Sequence, residues 1–201
     1  MTLPVYFDSK KSLNLLEMNQ NFDFLKDLFI ISKLPKVLML SGKKGTGKST
    51  IINHLLYYIF DKDNYNLERY ELKSNTLFYS QFINNIYPNI IYLSGADLNN
   101  IKIEDIRNLK NKIFQTSISE KIRFIILDDV ELFNINSLNA LLKIIEEPSK
   151  YNHFILINNK SKPLLETIKS RCLEIKIILI EKKRLTIIES LIKKFGINLV
   201  L

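Results

Sequence analysis

The chain has 201 residues, 46% of them hydrophobic and 25% charged, a composition that excludes a disordered or fibrous chain and leaves room for a sizeable core. It has no apolar run near the roughly 18 residues of a membrane span, no signal-peptide pattern from Met1 to Lys10, and a single cysteine, Cys172, which excludes an intramolecular disulfide and a multi-cysteine zinc site. A cytoplasmic protein is expected, and the net charge of +8 fits a nucleic-acid partner as well as it fits scattered, solvated lysines.

Short apolar runs alternate with helical patterns, the order of a parallel sheet with crossover helices. The first run, residues 37–41, reads as a buried strand. It leads into Gly42, Lys43, Lys44, Gly45, Thr46, Gly47, Lys48, Ser49 and Thr50, which fit G-x-x-x-x-G-K-[ST], the phosphate-binding P-loop. Residues 51–60 are long enough for the helix that must follow. The glycines let backbone N–H groups close around a phosphate, and the helix N-terminus adds partial positive charge. Lys48 is expected to reach the β- and γ-phosphates and Ser49 to hold Mg²⁺. A Gly- and Lys-rich surface turn is the plain alternative, and both flanks weigh against it.

Residues 61–66 are polar and read as a loop. Residues 74–86 read as a helix, separated by Pro88 from a second strand at 89–93. Ile103, Ile106, Leu109 and Ile113 recur at near-helical spacing. The third strand, 123–128, ends in Asp128 and Asp129. A P-loop needs a second acid for its magnesium, and Asp128 is assigned to it, mostly through water. Asp129 is placed beside the attacking water. Two acids at a strand end also make a plain turn signal; the P-loop raises the functional reading above it. Leu138, Leu141, Leu142 and Ile145 give the i, i+3, i+4, i+7 pattern of a helix that Pro148 stops. Strands at 153–158 and 173–177 complete five. In the tail, Leu185, Ile188, Leu191, Ile192 and Phe195 form a helical apolar stripe, with Gly196 as its C-cap.

The run Leu127-Asp128-Asp129-Val130-Glu131-Leu132, followed by Asn139-Ala140-Leu141-Leu142-Lys143-Ile144-Ile145-Glu146-Glu147-Pro148, resembles the bacterial clamp-loader AAA+ subunits. These are the gamma/tau and delta-prime subunits of DNA polymerase III, and the spacing leans to delta-prime. Phe154-Ile155-Leu156-Ile157-Asn158-Asn159 stands where that family has its sensor 1 strand end. Ser170-Arg171-Cys172 matches its Ser-Arg-Cys motif, and residues 101–109 look like its Ile-x-x-Ile-Arg-x-Leu helix. The resemblance covers roughly residues 21–177.

The resemblance implies an α/β fold of the P-loop NTPase (AAA+) type, a three-layer αβα with a five-stranded parallel sheet. It would occupy residues 1–178, with the start of a small helical lid at 179–201. It implies ATP and Mg²⁺ as cofactors and a place in a hetero-oligomeric ring of clamp-loader subunits that loads the sliding clamp onto primed DNA. Asn158 or Asn159 would sense the γ-phosphate, and Arg171 would act in trans on a neighbour's nucleotide. Three departures stand against the pattern. Asp129 replaces the Glu of the hydrolytic subunits, the zinc-binding cysteines of many relatives are absent, and the chain stops before the full lid and collar of those relatives. A weak ATPase is therefore expected. The alternative is a stator that donates Arg171 and hydrolyses little. A small-molecule kinase would need an arginine-rich substrate lid, and residues 68–79 offer little of that.

Overall fold

The computed structural model describes residues 8–96, 106, 108 and 122–196. Five parallel strands form one sheet: β1 (Val37–Ser41), β4 (Ile90–Ser94), β5 (Arg123–Asp128), β6 (Asn152–Asn158) and β7 (Leu173–Lys176), in the order β4-β5-β6-β1-β7. All five strands predicted from sequence are present within a residue of their expected bounds. A continuous apolar run suits a strand buried on both faces, and β1, β5 and β6 are buried at every position.

The side-chain alternation of these strands divides the core into two layers. Leu38, Leu40, Phe124, Ile126, Ile155 and Ile157 face α1 (Asn19–Ile30), α2 (Lys48–Phe60) and α3 (Leu77–Ile83). Val37, Met39, Ile125, Leu127, Phe154 and Leu156 face α4 (Ile135–Ile145) and α5 (Glu166–Lys169). This is the three-layer αβα arrangement. The predicted stripe on α4 is its core face: Leu138, Leu141 and Ile145 are buried. Its N-cap is Asn134, whose Oδ1 accepts the Ser137 N–H at 2.8 Å.

Some elements differ from expectation. The helix expected over 74–86 is only seven residues, α3, because Thr76 caps it by accepting the Tyr79 N–H at 3.0 Å. The polar stretch 61–66 is not all loop. Tyr65–Asn66 (β2) pairs antiparallel with Glu71–Leu72 (β3), since Tyr65 buries its ring against Phe22, with centroids 5.3 Å apart. Helix α1, with Phe22 and Leu25 buried, is an element that the sequence reading does not contain. Of the helix expected from Ile103 to Ile113, Ile106 and Asn108 are helical and Ile106 is buried; its other residues lie outside the described ones. The tail forms α6 (Glu181–Phe195), and Gly196 caps it in the left-handed conformation. Its apolar stripe stays largely uncovered, with Leu185 52% and Ile188 37% exposed. The helix is tied to the N-terminal segment by Lys183, which donates to the Glu17 carbonyl at 3.2 Å, and by Lys194 with Asn14. Among the described residues no helix is long and apolar enough to cross a membrane.

Candidate nucleotide site

The sheet register assembles the site. Ser41 lies opposite Asn158 across β1 and β6, and Ser94 opposite Asp128 across β4 and β5. The C-terminal ends of four strands therefore meet at one edge, where open α/β sheets bind their ligands. The loop Gly42–Gly47 leaves this edge and turns into α2.

Two glycines are required by the geometry. Gly47 is the N-cap of α2 at φ 84, ψ 9, a left-handed conformation that L side chains resist. A Cβ on Gly42 would stand 2.3 Å from the Ile177 carbonyl oxygen, so the loop passes too close to the end of β7 for any side chain. The N-terminus of α2 has no side-chain cap and no acid in its first turn. Its leading N–H groups and its dipole are left for an anion.

Lys48 is 2% exposed. Its ammonium donates to the Gly42 carbonyl at 2.8 Å, the Lys43 carbonyl at 2.7 Å and Thr46 Oγ1 at 3.3 Å. Burial pulls its pKa down to about 8, and the carboxylates of Asp128, Glu131 and Asp129 pull the other way. Ser49 Oγ donates to Asp128 Oδ2 at 2.9 Å. Tyr92 Oη donates to the same oxygen at 2.5 Å, and the Asp129 N–H donates to Oδ1 at 2.9 Å. A hydroxyl and one oriented carboxylate form a hard-oxygen pair of the kind Mg²⁺ uses together with phosphate and water. The donor set and the cradle fit a magnesium-bound triphosphate.

Asp129 sits in the left-handed region at φ 49, ψ 43, which Asp tolerates better than most side chains. Its Oδ1 accepts from Asn159 Nδ2 at 2.7 Å and lies 3.9 Å from Lys44 Nζ. Asn158 does something different: its Oδ1 accepts the Lys160 N–H at 2.8 Å, and its carbonyl accepts the Gly42 N–H at 3.2 Å. Of the two asparagines, Asn159 reaches the acid and Asn158 ties its own turn to the P-loop. Two further site residues escape sequence reading. Tyr92 is one apolar-run member among others until the β4–β5 register sets its hydroxyl on Asp128. Glu131 lies two residues past Asp129 and binds the turn after β6.

Arg171 is elsewhere. Leu173 pairs in register with Leu38, so β7 begins level with the start of β1. The four residues from Leu38 to Gly42 span roughly 13 Å of strand. Arg171 therefore lies at the sheet edge opposite its own P-loop. Its Nε and Nη2 donate to Glu146 Oε1 at 3.0 and 2.7 Å, and its Nη1 donates to the Thr167 carbonyl at 2.9 Å. Neighbouring Cys172 packs, and burial pushes its thiol pKa up to about 12. Beside the Asn158 turn lies a cavity of about 510 Å³ whose charged lining is Lys160, Lys162, Lys169, Lys176 and Glu174.

Residues 18–181 match the family described as DNA polymerase III, delta subunit. The DNA polymerase III gamma subunit of Buchnera aphidicola subsp. Schizaphis graminum is 30% identical over 172 residues, 85% of this chain and 46% of that protein. The delta' subunit of Pseudomonas aeruginosa is 38% identical over 74 residues, 37% of this chain and 23% of that one. Among solved structures, a gamma subunit-related protein of Thermotoga maritima superposes with a TM-score of 0.57 at 21% identity, covering 87% of this chain and 52% of the other. The RuvB Holliday junction branch migration motor of the same organism gives 0.56 at 15% identity, covering 97% and 56%. Both likenesses establish the fold. The chain spans about half the length of the curated gamma relatives that it matches over most of its own length. The chain belongs to the DNA polymerase III delta-subunit family, the clamp-loader family that its Asp-Asp strand end, Glu-Glu-Pro helix and Ser-Arg-Cys turn resemble.

Proposed function

We propose that this chain binds ATP·Mg at its P-loop and acts as a clamp-loader subunit, using the nucleotide to assemble with sister subunits and load a sliding clamp onto primed DNA. The observation that carries the reading is the joining of Lys48, the uncapped α2 N-terminus and the Ser49–Asp128 pair at one sheet edge. Backbone N–H groups of residues 42–50 and the Lys48 ammonium would hold the phosphates. Ser49 and Asp128 would hold Mg²⁺, which supplies charge neutralisation for the phosphates when bound. Asn159 has a second amide proton beyond the one given to Asp129, and this proton is free to meet a γ-phosphate oxygen. Residues 1–178 serve as the nucleotide-binding domain, residues 179–201 begin a helical lid, and the protein works in the cytoplasm.

The second reading, a stator that hydrolyses little, rests on two contacts. Asp129 has a short side chain and shares Oδ1 with Asn159, which leaves it poorly placed to orient water. Arg171 is displayed at the edge away from its own nucleotide site, where a neighbouring subunit can meet it. An arginine supplied in trans is worth about 10³–10⁵ in rate in the GTPases that use one. The four lysines around the 510 Å³ cavity fit phosphodiester contact, which carries no base specificity.

The experiment is reconstitution with the other clamp-loader subunits, comparing Lys48→Ala with Arg171→Ala. A motor subunit loses its own ATP turnover with Lys48→Ala. A stator loses the neighbour's turnover with Arg171→Ala and keeps complex activity with Lys48→Ala. Failure of the chain to join the complex, with or without ATP, would contradict both.

A further inference from the structure

Glu131 is 4% exposed, in the short 3-10 turn Val130–Leu132 that follows the paired acids. A buried carboxylate is costly unless its oxygens are met by donors. Here they are met by one short turn. Oε1 accepts the Asn159 N–H at 3.1 Å, the Ser161 N–H at 3.3 Å and the Ser161 hydroxyl at 2.7 Å, and Oε2 lies 3.2 Å from the same Asn159 nitrogen. The turn is tight, with Lys160 between them at φ 56. Glu131 is therefore no free base for water. It is the anchor of the loop that carries Asn159.

Asn159 links two acids. Its backbone N–H is on Glu131, and its side-chain Nδ2 is on Asp129 Oδ1 at 2.7 Å. A side chain that must reach both an acid and a phosphate is only as well placed as its backbone. We propose that Glu131 is a positioning residue that fixes Asn159 between Asp129 and the γ-phosphate, and so gives the site its preference for nucleoside triphosphate over diphosphate. This rests on the reading of the P-loop as an ATP·Mg site. Truncating Glu131 leaves the Asn159 and Ser161 N–H groups and the Ser161 hydroxyl without their acceptor, and the turn relaxes. Glutamine keeps one carbonyl oxygen in place for the same donors. The P-loop keeps its backbone tie to β6, the Gly42 N–H on the Asn158 carbonyl, which lies ahead of the relaxed turn.

The test is a pair of titrations, Mg·ATP and Mg·ADP, on the full chain and on Glu131→Ala, Glu131→Gln, Asn159→Ala and the Glu131→Ala/Asn159→Ala double variant. Glu131→Ala and Asn159→Ala are each expected to lower the ATP-over-ADP preference about tenfold or more, the worth of a hydrogen bond to a charged group. ADP affinity in Glu131→Ala is expected to match that in Glu131→Gln, which loses the same charge near Lys48. The double variant is expected to be no worse than either single one, and Glu131→Gln is expected to keep most of the preference. Because the two residues act as one unit, their effects do not add. A Glu131→Ala protein with the parent's preference overturns the proposal. So does a double variant whose loss is the product of the single losses, or a Glu131→Ala protein whose ADP affinity falls well below that of Glu131→Gln. If Glu131→Ala does not fold, Ser161→Ala takes its place, and an unchanged ratio there overturns the proposal equally. A parent chain that binds neither nucleotide contradicts the ATP·Mg reading itself, a different result from a preference that survives the substitution.

Discussion

Lys48 holds its charge inside the loop that it serves. Burial brings its pKa down to about 8, so the ammonium is intact at neutral pH and is lost as pH rises through that value. Nucleotide affinity is expected to be level between pH 6 and 7 and to fall by pH 9. Titrations at those pH values check this, and Lys48→Arg, whose charge persists at all of them, should bind more weakly but without the slope. Asp129 sets the second residue-scale prediction. Lengthening it by one methylene, Asp129→Glu, moves the carboxylate by about 1 Å relative to the water it should orient, a displacement worth about 10²-fold in rate. ATP turnover in the reconstituted complex is expected to rise, with ATP affinity little changed. An equal or lower turnover would leave Asp129 as a structural partner of Asn159 and Lys44.

Helix α2 joins the site to the rest of the fold through His54. Its imidazole is buried, with Nε2 3.1 Å from the Ser12 carbonyl and Nδ1 2.9 Å from Tyr65 Oη. A carbonyl only accepts, so Nε2 carries the proton and Nδ1 accepts from the tyrosine. Burial holds the pKa down at about 4, against 6.5 for the free group, with the Ser12 carbonyl working the other way. The unfolded chain therefore binds a proton between pH 6.5 and 4 that the folded chain refuses. His54 contributes stability that is present above pH 6.5 and lost as pH falls to about 4, on the order of 3 kcal/mol. Urea unfolding across that window should show the loss, and His54→Gln should flatten it. The elements themselves were unequally legible. Strands β1, β5 and β6 announce themselves because burial on both faces demands unbroken apolar runs. Helix α4 does so because its core face repeats at the helical period. Hairpin β2–β3 does not: it is two residues a side and exists because Tyr65 finds Phe22 and His54, partners distant in sequence. The P-loop and Asp128 could be named from spacing, and the pair Asn158 and Asn159 only through the family resemblance, which left open which of the two it is. Tyr92 and Glu131 could not, because their roles follow from sheet register and from a turn conformation that no local pattern encodes.

At the scale of the whole molecule the net charge of +8 makes the proposed DNA contact one that salt can test. The lysines around the 510 Å³ cavity stand beside the turn that carries Asn158 and Asn159, so phosphodiester contact there would lie close to the nucleotide site. Affinity for primed DNA in the assembled complex is expected to fall steeply between 50 and 200 mM salt. Lys160→Glu/Lys162→Glu should weaken it and lessen the slope; a binding constant indifferent to salt would exclude the contact. Arg171 is held by Glu146 at the opposite sheet edge, and under the proposed function it would give the molecule a second working surface, with a nucleotide presented to one neighbour and an arginine to the other. All of this depends on a P-loop that binds. The most direct measurement is calorimetric titration of the full chain with ATP in the presence and absence of Mg²⁺, beside Lys48→Ala. Saturable, magnesium-strengthened binding that weakens about 10–100-fold in Lys48→Ala is the expected result. No binding up to millimolar ATP, or equal binding by the two proteins, would contradict it.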